Sequence, residues 1–122
     1  MTRNILIVDD SAVMRKIVMR TLRQAGVQVD QVFEAGDGGE ALDVVNQEDI
    51  HLVLSDVNMP NVDGFEFVRQ ARGQDFSAPI IMVTTEGSED RVRDALESGV
   101  QGYVVKPFTA DDLKEALAGV GL

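Results

Sequence analysis

The chain has 122 residues, 44% of them hydrophobic, with 21 acidic against 11 basic side chains and a formal net charge of −10. That length suits one domain spanning 1–122 with a substantial core, and the apolar content excludes a disordered chain. The acid excess argues against direct nucleic-acid contact, which depends on Lys and Arg displacing counterions from phosphates, and the absence of cysteine excludes disulfides and thiolate metal sites.

The first apolar run, Ile5 to Val8, predicts a strand over 4–9 and is ended by Asp9 and Asp10. Met1 to Asn4 lead straight into it without a signal-peptide pattern, and no run approaches the roughly 20 apolar residues of a membrane helix. A cytoplasmic protein without membrane insertion is therefore expected. Ser11 is placed to cap a first helix whose apolar set is Val13, Met14, Ile17, Val18, Leu22 and Ala25, with Gly26 as its stop. A weak strand follows at 31–35, then Gly36-Asp37-Gly38-Gly39 as a turn and a helix over 40–47 with Ala41, Leu42, Val44 and Val45. The third strand is 51–55, ended by Asp56. The loop 57–64 is rich in turn residues, and a third helix covers 65–72. Strand four is 79–83, ended by Thr84. Helix four covers 89–98, with Val92, Ala95 and Leu96 inward and Gly99 as the stop. Strand five is 102–105, ended by Lys106. Thr109 then caps a fifth helix, with Asp112 completing a variant capping box and Leu113, Ala116 and Leu117 facing in.

Short runs of aliphatic residues alternating with amphipathic helices predict an α/β fold with a doubly wound, five-stranded parallel sheet covered by five helices. In such sheets ligands bind beyond the carboxyl ends of the strands. If the strands are parallel, the carboxylates of Asp9, Asp10 and Asp56, the Thr84 hydroxyl and the Lys106 ammonium share one pocket. Three hard oxygen ligands beside a cationic donor and a neutral one suit a divalent cation and a phosphoryl group.

Asp9-Asp10-Ser11, Asp56 with Asn58-Met59-Pro60 and Gly64, Thr84, and Lys106-Pro107 together resemble the receiver domain of bacterial response regulators, over essentially the whole chain. The likeness is strongest to single-domain chemotaxis regulators of the CheY type. It implies a flavodoxin-like strand order 2-1-3-4-5. It also implies that Asp56 is the phosphoacceptor, and that Asp9, Asp10, Asp56 and the Asn58 backbone carbonyl hold Mg2+. Lys106 would pair with the phosphoryl oxygens, and Thr84 and Tyr103 would form the switch. Asn58 and Glu86 occupy the positions that tune dephosphorylation. Thr85 is bulkier than the residue common beside the pocket mouth in such regulators, and Lys106-Pro107 matches a cis peptide bond.

The function implied is a phosphorylation-activated signalling switch of a two-component system. The resemblance implies no enzyme activity beyond the chain's own phosphorylation and dephosphorylation. Its expected partners are a CheA-like histidine kinase, a phosphatase, and the flagellar motor switch or another protein target. A monomer is expected. A phosphorelay intermediate or phosphate sink is the alternative. An aspartyl-phosphate phosphohydrolase is a remote one, because its acid/base aspartate would fall where Asn58 stands. His51, the only histidine, opens strand three away from the pocket and is not read as a phosphoacceptor.

Overall fold

The computed structural model describes residues 3–85 and 87–121. Among them, strands and helices alternate strictly: β1 Arg3–Val8, α1 Ala12–Gln24, β2 Val29–Ala35, α2 Gly38–Gln47, β3 Leu52–Ser55, α3 Gly64–Gly73, β4 Ile80–Thr84, α4 Glu89–Ser98, β5 Gly102–Val105 and α5 Ala110–Ala118. The strands form one parallel sheet in the order β2-β1-β3-β4-β5, as expected for a flavodoxin-like fold.

Side chains alternate between the two faces of a strand, so a short aliphatic run supplies both layers of core at once. Leu6, Val8, Val53, Ile80 and Met82 pack with Ala41, Phe67, Val68 and Ala95 from α2, α3 and α4. Ile5, Ile7, Leu52, Leu54, Ile81 and Val83 face the other way, onto Val18 and Leu22 of α1 and Leu113 and Leu117 of α5. Each helix starts on a side-chain oxygen that accepts from a backbone N–H of its first turn: Ser11, Asp37, Asp63, Ser88 and Thr109. Thr109 and Asp112 form the reciprocal capping box.

Several boundaries differ from the expectation. Gly38 and Gly39 are not in a turn but open α2, because Asp37 caps the Glu40 amide from just before them. Gly38 is needed there, since a Cβ would lie 2.6 Å from the Val62 carbonyl oxygen. Thr84 closes β4 rather than following it, and β2 begins two residues earlier than its weak apolar pattern suggests. Val13, Ile17 and Leu96 are exposed, not inward, at 69%, 40% and 49%. Helix α1 meets the sheet through the arc of Val18, Thr21 and Leu22, which leaves Val13 and Ile17 on its outer side. Helix α4 buries only Ala95.

Candidate functional site

Parallel register brings the strand ends level. Val8 is opposite both Ala35 and Ser55, Ser55 is opposite Met82, and Thr84 is opposite Val105. Asp9, Asp56 and Lys106 therefore leave the sheet along one edge. Their backbone amides continue the ladders, from Asp9 to Ala35 O at 3.0 Å, Asp56 to Val8 O at 2.9 Å and Lys106 to Thr84 O at 2.8 Å.

The carboxylates of Asp9, Asp10 and Asp56 offer oxygens that all lie within 4.8 Å of one another. Asp9 is buried and held at both oxygens: Oδ1 accepts from the Ser11 amide and Oδ2 from Lys106 Nζ, each at 2.9 Å. Asp56 Oδ1 accepts from the Val57 amide at 2.8 Å, and Oδ2 lies 3.5 Å from Lys106 Nζ. The buried Thr84 hydroxyl also hydrogen-bonds the Asp56 carboxylate. Lys106 itself is only 11% exposed and is shared between two carboxylates. The Lys106–Pro107 peptide bond is cis.

Burial pushes the Asp56 carboxyl above the usual range for aspartate. The Lys106 ammonium partly offsets this, and the neighbouring Asp9 charge adds to it. Three carboxylates gather beside one ammonium, which reaches Asp9 and Asp56, so the site carries excess negative charge. Three convergent hard oxygens, with an open side at exposed Asp10, fit a divalent cation that keeps part of its water shell.

The sequence-derived site residues Asp9, Asp10, Asp56, Thr84 and Lys106 thus come together. Asn58 is exposed in the loop after β3. Tyr103 is half-buried on β5, opposite Met82, and packs against the core layer that contains Leu6 and Val8. Glu86 lies outside the described residues. His51 sits at the far end of β3 from Asp56, its Nδ1 accepting from the Asn4 amide at 2.9 Å. One neighbour of the pocket was missed. Arg15 donates to the Asp9 carbonyl at 2.6 Å and to Glu34 at 2.8 Å. Its trace in the sequence is a basic side chain three and seven residues before Val18 and Leu22, on the inward face of α1.

A sheet of this order with an acidic pocket at its carboxyl edge defines a receiver-type signalling domain, and the response regulator receiver domain family matches residues 5–118. The chain belongs to that family, a class of signalling proteins and not of conventional enzymes. It is 45% identical over 119 residues to the chemotaxis protein CheY homolog of Campylobacter jejuni, covering 95% of this chain and 90% of that one. It is 41% identical over 115 residues to chemotaxis protein CheY-3 of Vibrio cholerae, covering 93% and 87%. The high-resolution structure of the chemotaxis response regulator CheY4 of Vibrio cholerae superposes with a TM-score of 0.84 at 38% identity, over 98% of this chain and 99% of that one. This is a CheY-like receiver domain of two-component signalling.

Proposed function

We propose that the whole chain acts as one cytoplasmic receiver domain. It accepts a phosphoryl group on Asp56 from a CheA-like histidine kinase and signals in chemotaxis by binding a protein target, the flagellar motor switch. The observation that carries this reading is the convergence of Asp9, Asp10 and Asp56 with Lys106 and Thr84 at one sheet edge.

The chemistry follows from that geometry. Phosphoryl transfer depends mainly on positioning and on neutralising charge at the transferred group. The P–N bond of the donor phosphohistidine breaks as a P–O bond forms at an Asp56 carboxylate oxygen. Asp9, Asp10, Asp56 and the Asn58 carbonyl would hold Mg2+, which supplies positive charge to the phosphoryl oxygens when bound. Lys106 already lies between Asp9 and Asp56 and would exchange part of its carboxylate contact for a phosphoryl oxygen. The Val57 amide keeps Asp56 aimed. Asn58 and Glu86 would tune the hydrolysis that later removes the acyl phosphate.

A phosphoryl group brings about −1.5 to −2 charge and strong acceptor oxygens, so the Thr84 hydroxyl would turn from the Asp56 carboxylate toward it. Tyr103, one strand over, would fill the vacated space and reshape the surface of α4, β5 and α5. The gain in target affinity is limited to the difference in contacts between the two states, commonly about 5–150-fold.

The test is binding of purified flagellar motor switch protein, with beryllofluoride standing in for the phosphoryl group. Beryllofluoride should tighten binding by the parent by about tenfold, near 1.4 kcal/mol, and Thr84→Ala should lose most of that gain. A parent whose binding ignores beryllofluoride would remove the motor reading. A Thr84→Ala chain that responds fully would place the switch elsewhere.

A further inference from the structure

We infer that Arg15 is a positioning residue for the cation site, acting as a unit with Glu34; the inference rests on reading Asp9, Asp10 and Asp56 as that site. The Arg15 side chain is only 18% exposed, although it sits on a surface helix. It spends its donors in two directions. Nε donates to Glu34 Oε1 at 2.8 Å, which ties α1 to β2. Nη1 donates to the backbone carbonyl of Asp9 at 2.6 Å. A planar guanidinium can hold both acceptors at once; a lysine ammonium on its flexible stem lacks that fixed fork.

The acceptor is what gives the contact its consequence. The Asp9 carbonyl belongs to the peptide bond that joins Asp9 to Asp10. Asp9 itself is fixed on either side of its Cα: its amide, in the preceding peptide, donates to Ala35 O, and its carboxylate is held by Ser11 and Lys106. Asp10 is exposed, so its aim depends on the plane of the peptide that precedes it. Arg15 fixes that plane from its oxygen. Outer groups that orient metal ligands commonly account for about 10–100-fold in metal affinity.

Charge explains why Glu34 belongs to the device. A bare guanidinium beside a divalent-cation site would repel the ion. Paired with Glu34, Arg15 keeps its hydrogen bond to the Asp9 carbonyl while the local charge is cancelled. Glu34 is half-exposed, so the pair adds little to stability as a surface ion pair. Its contribution is expected in the affinity for the ion.

The experiment is Mg2+ titration by calorimetry, repeated with Mn2+ by electron paramagnetic resonance, on the full chain. Arg15→Ala should weaken Mg2+ binding about tenfold. Arg15→Lys, which keeps the charge without the fork, should fall between that variant and the parent. Glu34→Gln should weaken binding several-fold, and Arg15→Ala combined with Glu34→Gln should be no worse than Arg15→Ala alone. Melting of the metal-free chains separates the two roles. Variants that melt earlier but bind Mg2+ like the parent would make Arg15 a structural tie only and overturn the inference. Should Arg15→Ala fail to fold, Arg15→Lys and Glu34→Gln still decide it. A parent that takes up neither ion would defeat the cation reading itself, a result distinct from a parent that binds alongside variants that match it.

Discussion

Gly64→Ala should lower stability by about 3 kcal/mol, roughly 10 °C in Tm for a chain of this size. Gly64 opens α3 directly beneath the loop that follows Asp56, and its amide donates to the Val57 carbonyl at 2.9 Å. A Cβ there would lie 2.2 Å from the Asp56 carbonyl oxygen and 3.0 Å from Val57 Cα. Both are backbone atoms, so no rotamer change can relieve the clash. Either α3 or the Asp56 loop must move, and phosphoryl uptake should slow with it. Gly73→Ala is the matched control. It lies at the other end of the same helix, with nothing within 4 Å of a Cβ, and should be neutral or stabilising by up to about 1 kcal/mol. Equal melting of Gly64→Ala and the parent would show that the loop tolerates displacement.

Asp56→Asn should abolish phosphoryl uptake and at the same time make the fold more stable. Burial raises the Asp56 pKa in the folded chain, so the native state binds that proton more tightly than the unfolded state does. Stability from this group is therefore fully present below the unfolded value near 3.8 and is lost as pH rises through the raised folded value. At neutral pH the ionised carboxylate is a net cost, which the neutral amide removes. Thermal melts without divalent ions should show Asp56→Asn a few degrees above the parent at neutral pH, on the order of 1 kcal/mol, with the gap closing in acid. A gap that widens in acid would reverse the assignment of the shift.

Strand and helix order could be read from the chain because buried parallel strands are short aliphatic runs, such as Leu52 to Leu54, and the polar residue ending each run marks the functional edge. The candidate site was legible for the same reason: Asp9 and Lys106 are the first polar side chains after β1 and β5, Thr84 closes β4, and Asp56 follows Ser55 at the end of β3. What escaped was set by tertiary contact. The start of α2 at Gly38 depends on Val62, 24 residues away in sequence. The exposure of Val13 and Ile17 depends on how α1 is rolled on the sheet, which helical spacing alone leaves open. Arg15 was passed over because a cation on an apolar face gains meaning only once Glu34 and the Asp9 carbonyl are seen to meet it.

The most direct test of the central claim is the intact mass of the chain after acetyl phosphate treatment, in Mg2+ and in chelator. The parent should gain a single phosphoryl group in Mg2+ and almost none in chelator, and Asp56→Asn should gain none in either. Labelling of Asp56→Asn equal to the parent, or labelling of the parent that ignores Mg2+, would contradict a cation-dependent phosphoacceptor at Asp56.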